Sequence, residues 1–191
     1  MSMVKAAYSD KQLVVDLLSE AFDTNNSVNF IVKQDKKRKE RVKHLMAYAF
    51  DMCQLFGEVY LSADRKACAL MFFPEKKRNT AKSLCLDIKL AFNCIGISNI
   101  AKVLKREGNI KKFYPKEHFS YLWFIGVRPS DQGKGLGESL LKELIQLSES
   151  RGRPFYLETS MKINVNFYKK LGFEIYNELK KPHHIFLLRK K

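Results

Sequence analysis

The sequence predicts an α/β fold: one mixed, twisted β-sheet flanked by helices, with a helical segment before the central strand. Three observations point there. Strand-like and helix-like stretches alternate along the 191 residues, an order that builds one sheet with helices on its faces. Residues 121–127 are aromatic and β-branched and are followed by Pro129, which cannot donate to a sheet ladder. After that strand the apolar spacing becomes helical, with Leu136, Leu140, Leu141, Leu144, Ile145 and Leu147 on one side of a helix running to about Ser150.

From the N-terminus, residues 3–7 suit a short first strand. Ser9 and Gln12 have the spacing of a capping box. Leu13, Leu17, Leu18, Ala21 and Phe22 then give a helical stripe, broken by a loop over 23–27. The basic run 33–43 leads into Val42, Leu45, Met46, Ala49, Phe50 and Cys53 at helical spacing, so it reads as the solvated first turns of an amphipathic helix. The competing reading is an edge that attracts an anionic partner. Residues 58–63 and 67–74 form a hairpin around Asp64, Arg65 and Lys66. Residues 75–117 hold two helices: Leu84, Ile88, Ala91 and Phe92 form one stripe, and Ile97, Ile100, Ala101 and Leu104 another, closed by Gly108. Residues 155–160 form a strand and residues 164–171 a short helix with Gly172 as C-cap. Strands over 173–177 and 184–188 follow.

Length and composition set the bounds. One domain over 1–191 is expected, large enough to bury a sizeable core. No apolar run approaches the about 18 residues of a membrane span, and the N-terminus lacks a signal-peptide core, so no membrane is expected as a partner. Cys53, Cys68, Cys85 and Cys94 form no C-x-x-C pair and read as free thiols in a reducing, cytoplasmic setting. The formal charge of +15 invites a nucleic-acid reading. No helix-turn-helix or RNA-binding aromatic signature accompanies it, so nucleic acid is not favoured as a partner. A basic surface drawing in an acidic cofactor is the preferred explanation. His183 and His184 match no metal set and read as surface residues on opposite faces of a strand, so no metal site is expected.

The most informative stretch is Gln132, Gly133, Lys134, Gly135, Leu136 and Gly137. Three glycines in five residues ahead of a helix are costly unless a ligand needs bare backbone. Backbone N–H groups at the positive end of a helix bind phosphate. No Lys-Ser or Lys-Thr pair follows, which excludes a P-loop, and position 138 is Glu138 where a dinucleotide fingerprint needs glycine.

The spacing Gln132-x-x-Gly135-x-Gly137 resembles the acetyl-CoA pyrophosphate loop of the GNAT superfamily of N-acetyltransferases. Asn164, Phe167, Tyr168, Gly172 and Phe173 resemble that family's later N-x-x-x-Y-x-x-x-G-F run, in the expected order. The resemblance is firm over 121–175 and implies a GNAT-like fold with acetyl-CoA as co-substrate and an amine as acceptor. Within the family, residues 121–127 with 156–160 look like the branch of puromycin-type small-molecule acetyltransferases. A protein or peptide N-terminus stays open as acceptor, and the family's habit of dimerising leaves a homodimer open.

The resemblance assigns roles residue by residue. Backbone of Gln132, Gly133, Lys134, Gly135, Leu136 and Gly137 would hold pyrophosphate. The Lys134 charge would sit near it, or Lys134 is an ordinary solvated lysine. Backbone of Ile125 and Val127 would pair with the pantetheine arm and polarise the acetyl carbonyl, with Gly126 easing approach. Asn164 would contact the arm or cap its helix, and Phe167 belongs to the same cofactor-facing motif. Tyr168 would protonate the departing thiolate, or it is a core aromatic. No carboxylate lies on the central strand. Glu158 is the candidate base, with a structural glutamate in the sheet as the equal alternative. His118 and attack by a neutral amine through water are further routes, and an acyl-cysteine is disfavoured. The missing strand carboxylate also permits a non-catalytic module that binds CoA or acyl-CoA. Against the family pattern, whose flanking strands lie close in sequence, residues 75–117 look like a helical insertion before the central strand, which either lines the acceptor site or adds packing to the sheet.

Overall fold

The computed structural model describes residues 2–190; Met1 and Lys191, the ends of the 1–191 span, lie outside the described residues. The elements run β1 (Val4–Lys5), α1 (Lys11–Ala21), α2 (Asn26–Ile31), α3 (Arg38–Phe56), β2 (Gly57–Leu61), β3 (Ala67–Phe72), α4 (Ala81–Leu90), α5 (Ile100–Lys111), β4 (Ser120–Val127), α6 (Leu136–Ser150), β5 (Phe155–Thr159), α7 (Lys162–Lys170), β6 (Phe173–Leu179) and β7 (Ile185–Lys190). All seven strands join one sheet in the order β1-β2-β3-β4-β5-β7-β6. Every pairing is antiparallel except that of β4 with β5. The mixed sheet with flanking helices is the predicted architecture.

Each face of the sheet carries its own core. On one, α1 and α3 bury Val14, Leu17, Leu18, Leu45, Met46 and Phe50 against Leu70 and Phe124. On the other, α6 and α7 bury Leu140, Leu141, Leu144, Val165 and Tyr168 against Ala69, Leu122 and Leu157. A β-bulge decides what β4 presents to each face. Leu70 pairs with Phe124 and Met71 with Leu122, which leaves Trp123 as the extra residue. Leu122 and Phe124 therefore join opposite cores, although residues two apart in a regular strand share a face.

Several local expectations are corrected. Ser9 caps nothing: a short 3-10 turn covers Tyr8–Asp10, and the Asp10 carboxylate accepts the Ala7 N–H at 2.9 Å. Part of the 23–27 loop starts a helix, α2, because the Asn25 side chain accepts from the backbone of Ser27 and Val28. Gly108 does not close α5, which continues to Lys111. The buried stripe of α5 is Val103, Arg106 and Ile110, whereas Leu84, Ile88 and Phe92 of the other stripe point outward, as do Ile97 and Leu104. The basic run is solvated and neutralised in part: Arg38 pairs with Asp23, Arg41 with Asp35 at 2.8 Å, and Lys43 with Asp16 at 2.7 Å.

Candidate active site

The site grows from a split in the sheet. β4 and β5 pair in parallel over only three positions, Ser120 to Leu122 against Phe155 to Leu157. Beyond them the strands part, although β4 continues to Val127 and β5 to Thr159. The Arg128 N–H donates to the Lys66 carbonyl at 3.0 Å, on the β3 side. Successive residues of a strand alternate edges, so Ile125 and Val127 turn their N–H and C=O groups toward the gap. The Gln132 side chain reaches that edge, donating to the Val127 carbonyl at 3.2 Å.

Gly126 has a different role from the one expected. A Cβ there would lie 2.9 Å from a Leu18 methyl and 3.2 Å from the Ala21 Cβ, so glycine is required for α1 to pack on β4. Close approach of a ligand is not what demands it.

The glycine loop follows β4 and opens α6. Gly133 and Gly135 have φ of 77° and 78°, in the left-handed region that other residues enter only at a cost. A Cβ at either would meet nothing within 4 Å, so the space above the loop is open. Gly137 is tied to packing instead, because a Cβ there would lie 3.2 Å from Val127. Leu136 is half-buried against the α6 core. No side chain caps the N-terminus of α6, which leaves its first N–H groups available to an anion. Glu138 turns away and pairs with Lys142 one turn along, at 2.7 Å. Lys134 is held by Asp131 at 2.7 Å, and Lys66 reaches the same carboxylate at 3.2 Å. One carboxylate between two lysines leaves the rim of the loop net positive.

A cavity of about 730 Å³ occupies the other side of the split. Tyr168, Asn164, Glu158, Ser160 and Ile125 reach it from the sheet side, and Ile88, Ile95, Ile100 and Leu104 from the α4–α5 side. The residues from Gln132 to Gly137 lie outside it on the surface. Phe167 also lies outside, half-buried with its ring 5.3 Å from that of Tyr168. Tyr168 is buried, and burial pushes its phenol above the ordinary value. Asn164 is not a cap: α7 begins two residues earlier, and the Met161 N–H is accepted by Thr159 Oγ1 at 3.2 Å.

Glu158 carries a partner that the sequence did not announce. Arg106 of α5 donates to its Oε1 at 3.0 Å, while Oε2 is buried without a hydrogen-bond partner. Burial raises the Glu158 pKa, and Arg106 opposes that rise in part. The same guanidinium donates to Ser27 Oγ at 3.1 Å, and Ser27 Oγ lies 3.1 Å from His183 Nε2. His183 is therefore a half-buried member of a polar chain, also packed 5.1 Å from the Phe30 ring, and not a surface residue. His184 is exposed and pairs with Glu178 at 2.8 Å. Among the described residues no group of His, Cys, Asp and Glu is arranged to hold a metal. Across the cavity Tyr48 donates to Asp87 at 2.7 Å, and the Trp123 ring stands 6.0 Å from that of Tyr48 and 5.5 Å from that of Phe72. Arg106, Ser27, Tyr48 and Asp87 were missed. Arg106 had one signal, its place between Val103 and Ile110 on a single helical face.

Comparison with known proteins agrees with this fold. Residues 88–173 match the model of the acetyltransferase (GNAT) family. An uncharacterized N-acetyltransferase of Schizosaccharomyces pombe is 35% identical over 57 residues, which is 30% of this chain and 23% of that protein. The curated match thus spans under a quarter of its relative's length. A Corynebacterium glutamicum structure described as histone acetyltransferase HPA2 and related acetyltransferase superposes with a TM-score of 0.69 at 17% identity, covering 99% of this chain and 94% of that one. The C-terminal condensation domain of Ebony, in complex with beta-alanyl-dopamine, gives 0.71 at 8% identity over 99% and 97%. The ribosomal-protein-S18-alanine N-acetyltransferase of Escherichia coli gives 0.56 at 13% identity over 99% and 92%. The chain has the GNAT fold, and its residues 88–173 match the acetyltransferase (GNAT) family model.

Proposed function

We propose that this chain is an acetyl-CoA-dependent N-acetyltransferase that acts on the primary amine of a small molecule, by direct attack of the amine. The carrying observation is the parted β4–β5 edge lying beside an uncapped helix N-terminus with two left-handed glycines. One feature accepts an extended arm by strand addition, and the other accepts phosphate. The thioester of acetyl-CoA supplies the activated acyl group; the rest is the work of this chain's residues.

In this reading, the gap-facing backbone of Ile125 and Val127 orients the acyl carbonyl and offers it an N–H donor. The Tyr168 phenol protonates the thiolate as it leaves, and its raised pKa keeps it protonated until then. Asn164 holds the arm one helical turn from Tyr168. Glu158, with one oxygen on Arg106 and one unpartnered, takes the amine proton directly or through water. The cavity volume falls within the roughly 300–1,000 Å³ of small-molecule sites. Its lining of Trp123, Tyr48, Phe72 and Leu104 suits a compact, largely apolar acceptor. The free state of all four cysteines supports a cytoplasmic setting.

The test is calorimetric titration with acetyl-CoA and with CoA, followed by CoA release across a panel of amines. Micromolar binding of both and turnover with small amines is the expected result. Binding of neither would remove the proposal. Tight binding without turnover would favour a non-catalytic CoA module, a reading that the Arg106 grip on Glu158 makes concrete.

A further inference from the structure

We infer that the outer face of the segment between β3 and β4 docks on an anionic lipid surface. Five of the eight large hydrophobic residues exposed on the described chain lie here: Leu84, Ile88, Phe92, Ile97 and Leu104, each at least half exposed. They are ordered. Leu84, Ile88 and Phe92 follow one another at four-residue spacing, and Ile97, Ala101 and Leu104 recur at four and three, so each rod carries one outward apolar stripe. A surface helix of a globular protein normally turns its stripe inward.

The charge beside these stripes identifies the occupant. Residues 75–117 hold eleven Lys and Arg against four Asp and Glu. Lys82, Lys89, Lys102 and Lys105 are exposed next to the apolar residues. Among the described residues none of the four makes an ion pair, whereas Arg38, Arg41 and Lys43 of α3 are all neutralised by carboxylates. An apolar stripe bordered by unpaired lysines is the pattern of a helix lying in a membrane interface, apolar side inward and ammonium groups at the anionic headgroups. A second protein would have to supply both an apolar face and a carboxylate-rich rim; a lipid leaflet provides both without further design.

The geometry fits a helix pair that lies on the surface. No single described helix is long and apolar enough to cross a membrane. The rods Ala81–Ile95 and Ile97–Lys111 bend 101° from each other at Gly96, whose φ of 76° favours glycine. Ile88 and Leu104, one from each rod, are both exposed and both line the cavity, so the two stripes meet at its mouth.

The test is flotation of the full chain with vesicles of phosphatidylcholine alone and of phosphatidylcholine with phosphatidylglycerol. Binding to the anionic vesicles that weakens with salt is expected. Leu84→Ser with Phe92→Ser and Ile97→Ser should remove it, and these residues lie outside the cavity. Lys82→Gln with Lys89→Gln and Lys105→Gln should weaken it roughly a hundredfold, at roughly fivefold per lysine. Acetyl-CoA titration of both variants should match the unmodified chain, which separates this inference from the catalytic reading. Failure of the unmodified chain to float with anionic vesicles at low salt would overturn it. So would full binding by the serine variant, which would reduce the contact to charge alone. A dimer in sedimentation equilibrium that the serine variant dissolves, with no vesicle binding, would make a second copy the occupant.

Discussion

The two walls of the cavity are built from different materials. The wall from β4, β5 and α7, with the glycine loop and the α6 N-terminus on the surface beside it, works through backbone: a parted strand edge, two left-handed glycines and an uncapped helix end. The wall from α4 and α5 works through side chains: apolar residues from both rods and one buried guanidinium. Backbone recognition suits a ligand that is the same in every reaction cycle. Side-chain recognition suits a partner that differs between proteins of one fold. In the proposed reading, cofactor chemistry resides on one side and acceptor choice on the other, and single substitutions can separate them.

The largest expected effect is on the backbone wall. Gly135→Glu forces a side chain into φ of 78° and puts negative charge where the anion is proposed to sit. Acetyl-CoA binding should disappear from calorimetry while the melting temperature moves by only a few degrees. Normal binding would dissolve the distinction between the walls. Next, Tyr168→Phe should lower kcat about 10²- to 10⁴-fold and leave acetyl-CoA affinity within about twofold. An unchanged kcat would return Tyr168 to the core beside Phe173, with which its ring already packs at 5.7 Å.

The third substitution crosses between the walls. Arg106→Met leaves Glu158 buried without its cation, a change that costs about 3–5 kcal/mol in other proteins. Urea unfolding at neutral pH should register a loss of that order. The loss should shrink as pH falls, because the raised Glu158 pKa lets the carboxyl take a proton and lose its charge. Adding Glu158→Gln should recover part of it. An equal loss at every pH would mean that Arg106 acts through packing alone.

The same division explains what could be read from the sequence. Glycines and the strand before them report backbone needs directly, so the loop, α6 and the order of β4, β5 and α7 were legible. The α4–α5 segment was located, but its buried face was not legible, for a physical reason. Periodicity identifies the apolar side of a helix and equates it with the buried side. Here Leu84, Ile88, Phe92 and Leu104 are outward and Arg106 is only 4% exposed. Apart from its place on the Val103–Ile110 face, the buried Arg106 carried no signal of its pairing, because its partner Glu158 lies 52 residues away. The bulge at Trp123 was hidden likewise, since it depends on register against β3. Gly126 was legible as a constraint, but the constraining group, α1, was supplied only by the fold.

The smallest expected effect probes the polar chain that ties the walls to the N-terminal helices. His183 has its pKa lowered to about 4 by burial first, and then by the neighbouring charges of Arg106 and Lys102. A base with a depressed folded pKa takes up its proton in the unfolded chain first as pH falls. Its contribution to stability is therefore complete above about 6.5, declines between 6.5 and about 4, and is flat below. His183→Asn should leave stability at neutral pH nearly unchanged and flatten the stability–pH curve between those limits. Because the ring is only half-buried, solvent screening keeps the effect modest. A variant whose curve has the same slope would detach His183 from Arg106. The connection from Ser27 through the guanidinium to Glu158 would then be a static brace, with no electrostatic link between the acceptor wall and the last turn before β7.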